Sequence, residues 1–241
     1  MKRHIPNFIT SLNLASGFFA ILFAINGQLV TASWLILAAM IFDFFDGFSA
    51  RILHSYSDIG KELDSLADVV SFGVAPAIII YELLSNAMVL TDQMMFNAST
   101  FTTVLILCSP VIMPICAALR LAIFNVDETQ KTTFKGLPTP ANALAVISIV
   151  IAGQFTELSV ISSFTNSKLS LIIFTVILSL LMVSRIPLLS LKTNHLKFKG
   201  NEGRYILVAM AVLALVILGW GAVPLFIPLY IVASFISLMF R

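Results

Sequence analysis

Apolar residues along this chain come in long unbroken blocks, and the polar positions between them are few and short. A helix needs roughly 20 mostly apolar residues to cross the hydrocarbon core of a bilayer, and in lipid every backbone polar group must be satisfied within the structure. Blocks near that length predict eight helices, over about 8–26, 30–53, 62–88, 101–124, 138–156, 169–190, 204–219 and 222–240. Gly219, Gly221 and Pro224 interrupt the last apolar stretch, so its two helices are expected to be short. The fold class expected is all-α: a polytopic transmembrane bundle of about eight helices.

Composition agrees. The chain has 241 residues, of which 59% are hydrophobic and 11% charged, with a mean hydropathy of +1.01. A water-soluble globule could not keep that balance in solution. No low-complexity tract, long linker or internal repeat divides the chain, so residues 1–241 are expected to form one membrane domain. A secretory-signal reading of the N-terminus has Lys2-Arg3 before an apolar run and Val30-Thr31-Ala32 as a cleavage-like site, but removing the segment would spoil the charge parity described next.

Basic residues near helix ends are retained on the cytosolic side. An inside N-terminus puts 13 of the 14 Lys and Arg residues inside and leaves only Lys168 outside. The protein is therefore expected in a plasma membrane of bacterial type, with its N-terminus and its polar chemistry facing the cytosol. The longest inner joints run over residues 51–61, 125–138 and 192–204. The last carries Lys192, His195, Lys197, Lys199 and Arg204, whose wide spacing suits attraction to anionic lipid better than a shaped pocket. Nothing in the charge pattern points to nucleic acid. Cys108 and Cys116 lie in one apolar run and are expected to be core residues.

Four of the seven aspartates pair at helical spacing: Asp43 and Asp46 at the inner end of the second predicted helix, Asp64 and Asp68 near the start of the third. An ionised carboxylate in a membrane helix costs about 2.5–3.5 kcal/mol at mid-span even on the milder scales, so four together call for a compensating cation. Spacings of i, i+3 and i, i+4 bring each pair to one helix face. Two helices then offer four hard oxygen ligands to one site, a set that suits Mg²⁺ or Mn²⁺; a pair of such ions could clamp a pyrophosphate. Gly47 and Ala50 leave room beside the carboxylates, Arg51 offers phosphate a planar donor fork, and Gly60 permits a close approach one turn before Asp64.

The pattern Asp43-x2-Asp46-Gly47-x2-Ala50-Arg51-x8-Gly60-x3-Asp64-x3-Asp68 resembles, at all eight fixed positions, the signature of the CDP-alcohol phosphatidyltransferase family. That resemblance implies a six-helix core with a cytosol-facing site. It implies that Asp43, Asp46, Asp64 and Asp68 ligate the metals, that Asp68 is also the general base toward the acceptor hydroxyl, and that Gly47, Ala50 and Arg51 line the site for the CDP moiety. The base role comes from the resemblance alone. CDP-diacylglycerol and membrane lipid are the implied partners, and a homodimer the implied assembly.

Three later segments, Ser71–Pro76, Leu119–Asn125 and Phe134–Ala141, together with the opening Ile5–Asn13, resemble the branch of that family whose acceptor is L-serine. Ile123 departs from it, standing where that branch usually carries a basic residue. Arg120 and Lys135 are left as candidates for holding the acceptor's carboxylate, or else as ordinary inside-anchoring charges. Asn7, Thr10 and Asn13 make a polar stripe on the first helix that either faces the nucleotide or bonds to neighbouring helices. Glu82 lies 14 residues beyond Asp68, about 21 Å at 1.5 Å per residue, and is expected outside the site. Two rivals remain: a sister transferase acting on glycerol-3-phosphate or inositol phosphate, and a divalent-cation transporter lined by the same carboxylates.

Overall fold

The computed structural model describes residues 4–55, 57–91, 101–127, 134–189 and 202–238. The predicted basic segment 192–199 lies outside the described residues. Helix α1 spans Ile5–Ile25 and starts with Pro6 in its first turn, where a missing N–H costs nothing. It stops at Gly27, whose φ of +76° turns the chain and lets its N–H bond Ala24 O at 2.8 Å. Helix α2, Leu29–Ile52, then runs back along α1.

A second rod begins at α3, Asp58–Asp68, capped by Ser57, whose hydroxyl accepts from the Gly60 N–H at 3.0 Å. It continues through a π-helical turn, Val69–Val74, into α4, Ala75–Thr91. This rod starts four residues earlier than the sequence pattern predicts, because Ser57 caps a polar first turn that hydropathy does not register. The next rod joins α5, Phe101–Cys108, to α6, Ile112–Val126, across a short 3-10 turn at Ser109–Val111 containing Pro110. Helix α7, Thr139–Phe155, is the most enclosed, burying Asn142, Ala143, Val146 and Ile147 among others.

Helix α8, Ser159–Thr165, occupies what the sequence pattern gives as an outer joint, and meets α9, Lys168–Val183, at 82°. The predicted span 169–190 ends early at Val183. Beyond it Pro187–Leu188, strand β2, pairs antiparallel with Phe134–Lys135, strand β1. Helices α10, Glu202–Leu218, and α11, Phe226–Leu238, form a hairpin around a 3-10 segment at Gly219–Leu225. Gly203 meets Ser237 across that hairpin so closely that a Cβ on Gly203 would overlap the serine side chain.

Five helical stretches are long and apolar enough to cross a membrane, with the α10–α11 hairpin taken as one, or six if the bent α8–α9 pair is one span. The all-α bundle expected from the sequence is the one observed, with helix α8 and the two-residue β pair added to it among the described residues. Up-and-down connectivity gathers Arg51, Lys61, Arg120, Lys135, Arg185 and Arg204 toward one end of the bundle and leaves Lys168 at the other.

Candidate active site

At the basic end, α1, α2 and α3 enclose a cleft of ≈ 250 Å³. Its walls hold the six residues expected to line a CDP site: Asn7, Thr10, Gly47, Ala50, Arg51 and Gly60, with Asp46 and Asp64 beside them. Two glycines matter for shape. A Cβ at Gly47 would meet only the Arg51 side chain at 3.7 Å, so that face is open. At Gly60 it would crowd Ser57 Oγ at 2.9 Å and Asn7 Oδ1 at 3.0 Å, so glycine lets α3 approach α1. Arg51 bonds the Gly47 carbonyl through Nε at 3.0 Å.

At the carboxylate centre, one oxygen each of Asp43, Asp64 and Asp68 lies within 4.8 Å of the others. Unit charges at that separation repel by roughly 3 kcal/mol per pair at an effective dielectric near 20. Among the described residues no base pairs with any of them, and Asp64 Oδ1 is buried without a hydrogen-bond donor. Clustered hard oxygens, mutual repulsion and an orphaned acceptor fit a divalent cation held by Asp43, Asp64 and Asp68.

Asp46 stands slightly apart from this triad. Its Oδ2 accepts from Thr10 Oγ1 at 2.6 Å, and the same threonine oxygen lies 3.0 Å from Pro6 O. Asn13 donates through Nδ2 to Asp68 Oδ1 at 3.3 Å. The polar stripe on α1 therefore divides by depth: Asn7 reaches the cleft, Thr10 lines it while orienting Asp46, and Asn13, fully buried, orients Asp68. Thr10 and Asn13 bond to neighbouring helices, as one reading of the stripe expects, and Asn7 and Thr10 stand in the cleft wall.

The π-helical turn follows Asp68 directly, and such insertions shift the helical register by one residue. Ser71 within it donates to Asn13 O at 3.0 Å, and Phe72 O receives Asn142 Nδ2 at 3.1 Å. The segment Ser71–Pro76 thus ties α1, the carboxylate rod and α7 together behind Asp68.

A second cleft, of ≈ 340 Å³, lies between α6, the β pair and the end of α9, lined by Arg120, Ile123, Asp127, Lys135, Ser184 and Arg185 among others. Gly136, at φ +76°, and Leu137 donate their N–H groups to Ile186 O and Leu181 O, each at 2.9 Å. Buried Arg120 adds Nη1 contacts to Lys135 O at 3.0 Å and Met182 O at 3.3 Å. Carbonyls left over at the end of α9 find partners this way, which is why the helix can stop there. Lys135 approaches Asp127 at 3.9 Å. Both candidate acceptor residues and the departing Ile123 meet in this one cleft, with Arg185 as a third cation.

Sequence reasoning missed Ser55, Ser57 and Lys61 in the first cleft and Ser184 and Arg185 in the second. Lys61 and Arg185 counted only as inside-anchoring charges. Ser57, before a polar turn with Gly60 three residues on, carried a readable cap signal. Glu82 lines neither cleft, as expected; Cys108 and Cys116 are both unpaired, but Cys116 is buried whereas Cys108 is exposed, so only one is a core residue.

Comparison with known proteins gives a consistent result. A family model described as CDP-alcohol phosphatidyltransferase matches residues 3–189. The chain is 39% identical over 160 residues to the archaetidylserine synthase of Methanothermobacter thermautotrophicus, covering 64% of this chain and 61% of that protein. It is 36% identical over 203 residues to the CDP-diacylglycerol–serine O-phosphatidyltransferase of Bacillus subtilis, covering 84% and 99%. Against the Helicobacter pylori protein of the same name, identity is 31% over 238 residues, covering 98% and 91%. The chain thus spans less than two thirds of the archaeal relative and nearly all of the two bacterial ones.

Proposed function

The chain belongs to the CDP-alcohol phosphatidyltransferase family, and from that membership we propose that it transfers the phosphatidyl group of CDP-diacylglycerol to the hydroxyl of L-serine, giving phosphatidylserine and CMP. The observation that carries this reading is the convergence of Asp43, Asp64 and Asp68 within 4.8 Å beside a cleft lined by the rest of the motif. Names of the bacterial relatives support the choice of serine.

Asp43, Asp64 and Asp68, with Asp46 adjoining, would hold Mg²⁺ or Mn²⁺, two ions by carboxylate supply, which when bound neutralise the pyrophosphate and stabilise attacking and leaving oxygens. Arg51 and Lys61 would meet the CDP phosphates, while Gly47 and Gly60 let the nucleotide lie against backbone. Asp68 takes the proton of the serine hydroxyl as that oxygen bonds the phosphorus bearing the diacylglycerol; the bond to CMP breaks, and CMP carries off the bridging oxygen. Asn13 keeps Asp68 oriented for this. Arg120 and Lys135, in the second cleft, would hold the serine carboxylate. An inside N-terminus, from the one-sided distribution of basic residues, opens both clefts to the cytosol, where serine and CMP exchange. A homodimer in a bacterial-type plasma membrane completes the proposal.

Arg185 gives specific support to a second reading. Three cations line the second cleft where two were expected, and a phosphate-bearing acceptor such as glycerol-3-phosphate or inositol phosphate would use them. Purified enzyme given CDP-diacylglycerol, Mg²⁺ or Mn²⁺, and each labelled acceptor separately decides between them. Label entering lipid from serine alone is expected, and label from a phosphorylated acceptor instead overturns the choice of serine. No CMP release with any of the three acceptors would return the carboxylates to a transport role.

A further inference from the structure

The rod that carries Asp64 and Asp68 changes its winding directly after Asp68. Over Val69–Val74 it is π-helical, and the Ala75 N–H bonds Val70 O, five residues back rather than four. The sequence supplies the cause. Pro76 stands four residues after Phe72, so the donor that an α-helix would give Phe72 O does not exist, and the proline ring would press on that same carbonyl. Widening the turn relieves the contact. It leaves Phe72 O in need of a donor where Phe72 and Pro76 are both buried.

Asn142 supplies that donor. Its side chain is fully buried in the first turn of α7, its own N–H donates to Pro138 O at 3.0 Å, and its Nδ2 donates to Phe72 O at 3.1 Å. Its Oδ1 meets no donor among the described residues, so the amide is placed for what its nitrogen gives. Two further helices grip the same turn. A Cβ on Gly17 of α1 would overlap Ser71, whose hydroxyl donates to Asn13 O at 3.0 Å. From α6, Ala117 Cβ would stand 3.0 Å from a Cβ on Gly73. The turn is thus held from three sides, next to Asp68.

Winding decides where the carboxylates point. Each residue advances an α-helix by about 100°, and a π-turn takes up about one residue more than the α-turn it replaces. Rewound as plain α-helix over the same residues, with α4 kept in place, the rod would carry Asp64 and Asp68 about 100° around its axis, away from Asp43 on α2. We propose that Asn142 is a positioning residue for the carboxylate centre: by holding Phe72 O it keeps the π-turn that Pro76 imposes, and with it the angle at which Asp64 and Asp68 meet Asp43. This assignment rests on the reading of that centre as a divalent-cation site.

Asn142→Leu keeps the volume and removes the donor, whereas Pro76→Ala removes the ring and returns an N–H to Phe72 O. Mn²⁺ bound by each purified protein is read from the loss of the free-ion EPR signal, beside kcat, both KM values and the thermal midpoint. In Asn142→Leu, Mn²⁺ affinity and kcat are expected to fall about tenfold, the scale of a lost outer partner to a metal ligand, with both KM values kept. In Pro76→Ala the same two quantities are expected to fall while the thermal midpoint holds or rises, because a proline leaves a helix interior. A packing defect would lower stability and leave metal affinity per folded molecule unchanged, and that outcome in Asn142→Leu overturns the positioning role. Unchanged Mn²⁺ affinity in Pro76→Ala overturns the part given to the π-turn, and if Asn142→Leu does not fold this variant decides alone. An unsubstituted protein that binds Mn²⁺ but releases no CMP with any acceptor overturns the functional reading and leaves the Mn²⁺ comparison to judge the turn. One that binds no Mn²⁺ overturns both.

Discussion

The two clefts at the basic end of the bundle are built in opposite ways. In the carboxylate cleft the reactive side chains come from α2 and α3, close in sequence, and stand at helical spacings that fix their shared face before any packing occurs. In the cationic cleft Arg120, Lys135 and Arg185 come from a helix, a strand and the segment after another helix, and are brought together only by the loop that caps α9. The first is anionic with no base paired to it among the described residues; the second is cationic, with Lys135 near Asp127 and Arg120 bonded to backbone carbonyls. A site whose charges are left uncompensated by the protein is one that a ligand must complete. A site whose charges are partly engaged orients a ligand instead.

This contrast can be broken experimentally, beginning where the effect should be largest. Asp43→Ala removes a member of the carboxylate triad, and metal-dependent CMP release is expected to vanish with no recovery at any Mg²⁺ or Mn²⁺ concentration; recovery at high metal would mean that the remaining carboxylates suffice. Asp68→Asn keeps shape and the Asn13 contact while removing a proton acceptor, so turnover should drop by about 10²-fold or more with CDP-lipid binding largely kept. Equal turnover in that variant ends the base assignment. Lys135→Ala should leave the KM for CDP-diacylglycerol alone and raise that for serine about tenfold, the scale of one charge-assisted hydrogen bond. A matching rise for both substrates would show that the two clefts do not divide the work. Gly60→Ala should have the smallest effect, a rise of a few-fold in the KM for CDP-diacylglycerol as Asn7 and Ser57 yield by a few tenths of an ångström; a large loss of turnover would mean that Gly60 also positions Asp64.

Legibility from sequence follows the same division. The carboxylate pairs, Gly47, Ala50, Arg51 and Gly60 could be placed together because helical spacing relates the members within α2 and within α3; the cleft holds Asp46, Asp64, Gly47, Ala50, Arg51 and Gly60, with Asp43 and Asp68 grouped around Asp64. Its outer members were harder to read. Lys61 had an adequate explanation as an anchoring charge, and Ser55 sits in the joint after α2, where no period applies. The different position of Asp46, held by Thr10 rather than grouped with the triad, depends on how α1 lies across α2. Helix α8 escaped notice because seven residues are too few to show an amphipathic period.

From the amino-acid order alone came the membrane environment, the eight apolar helices, the acidic quartet and the family. Each of these depends on hydropathy or spacing along one or two neighbouring helices, which the chain carries locally. The tertiary structure decided which three carboxylates converge, how α1 orients two of the four, and that Arg185 joins Arg120 and Lys135 across fifty residues of intervening helix and turn. Those outcomes depend on the rigid-body packing of helices and on where unpaired backbone carbonyls find donors, and neither leaves a period in the sequence.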